Sequence, residues 1–368
     1  MKKKCFASEK LVIRIIVIGI LVLTVSCNSR PKPITDADRI LEFEVVSCND
    51  TIINRTTAGA EDIKFGFEGG SVVKVGDAYH MITAEMAGDP YWVNMRLGHW
   101  TSKDGLAWSR IGTIRQSDGD YTGTSQRSSV WGPMVVFNDE DNRWHLVYVC
   151  YKNKPNTEAN KSYTGYDGVI QHAVSVTEGS EGIYGPYEDR EILMRYDENP
   201  DPWEGLQGVD SFFPFKIGNR WYGFYGSATT QDIKNCQWRI GLAQAPKISG
   251  PWTRMSDLNP ADLRGFAENP IVTQLENGVY IAIVDGGHFA AKLGYTLSRD
   301  GLHWSPVRHI DPEEATEKWW NLLRTPQSLI KEDDGTYTMF FTAYKNYPGG
   351  SVFGHVSRLK LKITFFDD

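Results

Sequence analysis

The sequence predicts an all-β chain folded as a five-bladed β-propeller with four-stranded antiparallel blades. Three observations carry that expectation. A short polar or aromatic head recurs five times: Glu68-Gly69-Gly70, Trp131-Gly132-Pro133, Asp210-Ser211-Phe212, Glu268-Asn269-Pro270 and Arg324-Thr325-Pro326. Each head is followed, 11 to 13 residues later, by the aromatic of a second strand-like run, at Tyr79, Trp144, Trp221, Tyr280 and Tyr337. Successive heads lie 63, 79, 58 and 56 residues apart, a period that accommodates four short strands and suits a ring of sheets. No long amphipathic helical pattern competes.

Taken from the start, Lys2-Lys3-Lys4 and the apolar run Leu11–Val25, interrupted only by Arg14, have the layout of an export signal. The run is short for a permanent span and ends against Cys27. Leu23-Thr24-Val25-Ser26-Cys27 resembles a lipoprotein signal, with Thr24 where Leu is commonest, so residues 1–26 are expected to be removed and Cys27 to carry lipid. Residues 27–60 read as a tether followed by an edge strand. Ile40–Val46 alternates apolar and acidic residues, and in a closed ring it would pair with the last strands of the chain. Residues 61–368 are the propeller.

Within each unit a third strand has an apolar residue, then Gly or Gln, then a larger residue: Leu97-Gly98-His99, Ile170-Gln171-His172, Ile240-Gly241-Leu242, Leu293-Gly294-Tyr295 and Phe353-Gly354-His355. His99, His172 and His355 therefore read as blade-packing residues. The turn that follows is Ser-x-Asp-Gly-Leu-x-Trp at Ser102–Trp108 and Ser298–Trp304, and Gly-Pro-aromatic at Gly185 and Gly250, where Asp-Gly and Gly-Pro supply the backbone freedom of a turn. The wide second interval holds polar insertions at 152–166 and 184–208.

A net charge of −7 with no basic stripe argues against a nucleic-acid partner and suits a neutral one. Once Cys27 is modified, Cys48, Cys150 and Cys236 are too few and too scattered for a disulfide framework. No zinc motif occurs, and neither a metal nor another cofactor is expected.

The order of these units resembles the five-bladed glycoside hydrolases, family 43 above all, whose members are arabinofuranosidases, arabinanases and β-xylosidases. The likeness spans Phe65 to the C-terminus. It rests on Glu268-Asn269-Pro270 beside that family's Glu-Gly-Pro, Trp131-Gly132-Pro133 beside its Trp-Ala-Pro, Asp210 heading the third blade and the Gly250-Pro251-Trp252 turn. The resemblance implies that the heads face a funnel on the ring axis, where one carboxyl must be protonated to assist the leaving oxygen and another ionised to activate water or attack carbon. Carried over residue by residue, Glu268 is the expected general acid, Asp210 the carboxylate that raises its pKa, and Glu68 the general base. The first blade departs from the family's Asp-before-Pro, and Asp89, Asp120 and Asp285 are the substitutes for the base. Trp131 is expected to stack on a sugar face, Arg324 to donate to a hydroxyl or carboxylate, and Asp285 and His288 to touch substrate. The bland alternatives are solvated loop acids, a core Trp131 and an Arg324 that only neutralises its neighbours. Trp319-Trp320 reads equally as a sugar platform or a cap on the fifth blade.

The expectation is an exported, lipid-anchored glycosidase of the cell envelope acting on the end of a polysaccharide or oligosaccharide, with inversion the family pattern. Rivals on the same ring are a retaining sucrose or fructan hydrolase, a phosphorylase, which would gather Arg96, Arg127 and Arg324 around phosphate, and a non-catalytic glycan-binding lipoprotein.

Overall fold

The computed structural model describes residues 31–155, 163–232, 234–264, 266–286, 292–310, 319–345 and 352–366. The apolar N-terminal run, Cys27 and His288 lie outside these described residues.

β-Branched and aromatic residues in short alternating runs, separated by Gly, Asp and Asn turns, fold into five antiparallel four-stranded sheets. The chain opens with β1 (Leu41–Cys48). The first blade is then β2 (Phe67–Val75), β3 (Ala78–Gly88), β4 (Asn94–Ser102) and β5 (Ser109–Gln116). The second is β6 (Ser129–Asn138), β7 (Arg143–Pro155), β8 (Tyr163–Glu178) and β9 (Tyr187–Met194). The third is β10 (Asp210–Ile217), β11 (Arg220–Ala228), β12 (Trp238–Ala245) and β13 (Thr253–Arg254). The fourth is β14 (Glu268–Gln274), β15 (Tyr280–Asp285), β16 (Leu293–Ser298) and β17 (Arg308–Ile310). The fifth joins β18 (Leu322–Lys331), β19 (Tyr337–Tyr344) and β20 (Gly354–Phe365) to β1, in the order β1-β20-β19-β18.

The first strand thus completes the last sheet. Leu41 opposes Phe365 and Cys48 opposes Leu359, which closes the ring by hydrogen bonds between the two ends of the chain and removes an exposed edge. Inside the ring the innermost strands touch in cyclic order, β2 to β6, β6 to β10, β10 to β14, β14 to β18 and β18 to β2.

Apolar seams lock neighbouring blades. Both Ser-x-Asp-Gly turns are built alike: Asp104 Oδ1 accepts from the N–H groups of Leu106 and Ala107, and Asp300 Oδ1 from those of Leu302 and His303. The Trp that ends each turn crosses a seam, Trp108 edge-on to Phe340 at 5.7 Å and Trp304 against Phe224 at 5.0 Å. The third-strand histidines are packing residues as expected. His99 meets His80 at 3.0 Å and His172 meets His145 at 2.8 Å inside their blades, while burial pushes His355 down to about 4.

Candidate active site

At every head the innermost strand carries a β-bulge. The register slips between Phe67 and Gly70, Trp131 and Met134, Asp210 and Phe213, Glu268 and Ile271, and Leu323 and Pro326. A bulge adds a residue, bends the strand and re-aims a side chain. In the first four blades the residue after the head adopts a left-handed backbone: Gly69 at φ 71°, Gly132 at 50°, Ser211 at 51° and Asn269 at 50°. Glycine does this freely and Asn tolerates it, whereas Ser211 needs anchoring. Its N–H donates to Asp210 Oδ1 at 2.6 Å, and its hydroxyl donates to Asn269 Oδ1 at 3.1 Å.

The bulges turn all five heads into one cavity of about 230 Å³. Glu68, Trp131, Asp210, Glu268 and Arg324 line it together with Trp92, Tyr151, Asn153, Gln207 and Trp238. Arg324 organises the acids. Its Nε donates to Glu68 Oε1 at 3.0 Å, and one terminal nitrogen donates to Glu268 Oε2 at 3.0 Å and to Asp285 Oδ2 at 2.5 Å. Tyr344 donates to the other oxygen of Glu68 at 2.8 Å. These carboxylates hold the guanidinium pKa well above its ordinary value against the cost of burial. Among the described residues no three His, Cys, Asp or Glu side chains are gathered as metal ligands, and the cation between these carboxylates is Arg324 itself.

Asp210 stands apart from that cluster. Its carboxyl is pushed up to about 7, first because this half-buried group is largely shielded from water by the surrounding protein and then because Glu268 is negative nearby; hydrogen bonds from Tyr151 and the Ser211 N–H, with Arg324 further off, pull the other way. Tyr151 is held in turn by Gln207, whose amide donates to the phenol oxygen at 2.9 Å.

The sequence-predicted residues divide clearly. Glu68, Asp210, Glu268, Trp131 and Arg324 come together at the cavity surface. Asp285 is fully buried opposite Glu268 in the β14–β15 ladder and reaches the site through Arg324. His288 lies outside the described residues. Of the substitutes for the base, Asp89 is exposed and paired with Lys64, and Asp120 caps its own loop at Thr122 and Ser125. Arg96 is engaged by Glu85 and Asp62, and Arg127 by Asp189, so neither joins Arg324. Trp320 packs edge-on to Phe341 at 5.7 Å and Trp319 edge-on to His355 at 5.5 Å, which makes the pair part of the fifth blade's packing.

Sequence reasoning missed two groups. Tyr151 and Tyr344 come from second strands, where the repeat pattern marks only the aromatic at the other end. Trp92 stands in a turn and Trp238 at the very start of β12, both outside the repeated pattern; Trp92 is 39% exposed, has φ 65° and meets Trp131 edge-on at 6.2 Å.

No protein-family model and no curated protein matches the chain. Solved structures do share its fold. A family 117 glycoside hydrolase of the marine bacterium Zobellia galactanivorans superposes with a TM-score of 0.58 at 12% identity, over 88% of this chain and 90% of its own. A GH43_1 enzyme of Xanthomonas citri, crystallised with xylotriose, gives 0.55 at 10% identity over 86% and 90%. An α-L-arabinofuranosidase of Podospora anserina, crystallised with cellotriose, gives 0.57 at 10% identity over 86% and 96%. The chain has the five-bladed propeller fold on which these glycoside hydrolases are built.

Proposed function

We propose that the protein is a glycosidase that hydrolyses a neutral, terminal glycosidic linkage in the central cavity. One observation carries the reading: carboxyl groups from three different innermost strands, Glu68, Asp210 and Glu268, line a single small hollow beside Trp131. Glycoside hydrolysis needs one protonated and one ionised carboxyl flanking the bond. The Asp210–Glu268 pair supplies the proton, with Glu268 delivering it to the leaving oxygen and Asp210 titrating near neutrality beside it. Glu68 serves as the base toward water. Each of its oxygens is held by one donor and keeps a second lone pair.

Three carboxyl groups, Glu68, Glu268 and Asp285, surround one guanidinium, and Asp210 adds a fourth carboxyl to the same hollow. That balance favours the positive charge of an oxocarbenium-like transition state and disfavours uronate or sulfated sugars. The small volume of the hollow suits one terminal ring, hence exo action. Phosphorolysis lacks its arginine cluster, since Arg96 and Arg127 are committed elsewhere. Release of 4-nitrophenol from a panel of neutral aryl glycosides tests the proposal. Turnover of none of them, with no reducing sugar from arabinan, xylan or galactan, would remove it.

The N-terminal pattern further supports export and lipid attachment at Cys27. Globomycin-sensitive processing and membrane fractionation of wild type and Cys27→Ala test this, and a Cys27→Ala protein still in the membrane fraction would contradict it.

A further inference from the structure

Two hollows in this fold share one side chain. Trp238, the first residue of β12, lines the central cavity and also a groove of about 970 Å³ on its outer side, much larger than the roughly 230 Å³ within. One wall of the groove continues from Trp238 through Gln237 and Cys236. The other is the segment Pro260, Ala261, Asp262, Arg264 and Phe266, which runs into β14 and so reaches Glu268 within two residues of Phe266.

The lining is amphipathic. Trp238 and Phe266 are half-buried, with apolar ring surface at the groove, while Gln237, Arg239, Asp262 and Arg264 are exposed and edge it with donors and acceptors. A sugar ring has the matching character, with an apolar C–H face and a hydroxyl periphery, and aromatic side chains serve where one side of the contact is apolar and the other wet. The side-chain charges of the groove nearly cancel, two arginines against one aspartate, which suits a neutral polymer.

We propose that this groove holds the glycan units beyond the ring bound in the central cavity, so that a neutral oligosaccharide passes over Trp238 from one hollow to the other. The inference rests on the glycosidase reading and extends it from a terminal ring to a chain several units long.

Cys236 gives a test on the unaltered sequence, because its thiol is exposed at the groove wall. Arabino-, xylo- and galactopentaose are each tried as protectants against fluorescein-maleimide, with modification at Cys236 followed by peptide mass spectrometry. The pentaose whose linkage the enzyme cleaves should slow labelling, and the corresponding monosaccharide should not. In parallel, Ala261→Trp should lower the ratio of kcat/KM for that pentaose to kcat/KM for the 4-nitrophenyl monosaccharide by about tenfold. An unprotected Cys236 with an unchanged ratio would overturn the groove. Protection of Cys236 without turnover of any glycoside would sustain the groove and instead remove the hydrolase reading.

Discussion

Arg324 and Glu68 are 256 positions apart in the chain and meet at 3.0 Å, Nε to Oε1, where the first and fifth innermost strands face each other. The contact exists because two bulged strands present their heads to the same axis, and it ties the closure of the ring to the electrostatics of the site. The same guanidinium reaches Glu268 and Asp285.

Removing that charge should therefore cost both stability and function. Arg324→Met leaves three buried carboxylates without their cation, and a loss of about 3–5 kcal/mol is expected in urea unfolding at pH 7.5. A variant as stable as wild type would show that the cluster is not held by Arg324.

Asp210 sets a pH dependence with a definite sign. Its folded pKa of about 7 lies above the ordinary aspartate value of 3.8, so the folded state binds this proton more tightly than the unfolded chain. The resulting stability is complete below about pH 4 and is lost as pH rises through about 7. Asp210→Asn removes that slope, and its Tm relative to wild type should climb between pH 5 and pH 8. In activity, kcat/KM of wild type should fall above about pH 7 as Asp210 loses its proton.

Tyr151 tunes that proton without touching the scissile bond. Its phenol donates to Asp210 and so favours the carboxylate. Tyr151→Phe should move the alkaline limb of the activity profile to higher pH and reduce stability by about 1–2 kcal/mol, since Gln207 also loses its partner. A limb that stays in place would mean that the hydrogen bond has no influence on the proton.

Ring closure predicts the effect of truncation. A chain starting at Asn49 loses β1, the buried Ile34, Ile40 and Leu41, and the contact of Phe43 with Tyr295 at 5.0 Å, and it exposes the edge of β20. Burial of those side chains is worth roughly 5 kcal/mol as an upper estimate. Thermal unfolding should shift down accordingly, and light scattering should report association through the open edge. An unchanged Tm in the truncated chain would mean that β1 merely covers the ring.

The heads were legible because a propeller repeats its blade, so Glu68, Asp210 and Glu268 occupy equivalent places and their convergence follows from symmetry. Even the residues after them carried a signal, Gly, Gly, Ser and Asn marking the left-handed position of each bulge. Symmetry gives no help off the period. Trp92 belongs to a connection and Trp238 opens β12 ahead of the repeated Ile240-Gly241-Leu242 pattern, and Tyr151 and Tyr344 look like ordinary strand aromatics until their hydroxyls are seen on Asp210 and Glu68. The role of Arg324 was open for a related reason. A lone arginine at a head does not announce that it will neutralise three carboxylates from three other strands.

Kinetic comparison of Glu268→Gln with wild type on the best neutral oligosaccharide, whose sugar leaving group needs a proton to depart, tests the central claim most directly. Loss of a general acid should lower kcat by about 10²–10⁴ while far-UV dichroism and Tm stay near wild type. A variant that keeps wild-type turnover would contradict the assignment of the leaving-group proton to Glu268, and with it the mechanism built on the converging heads.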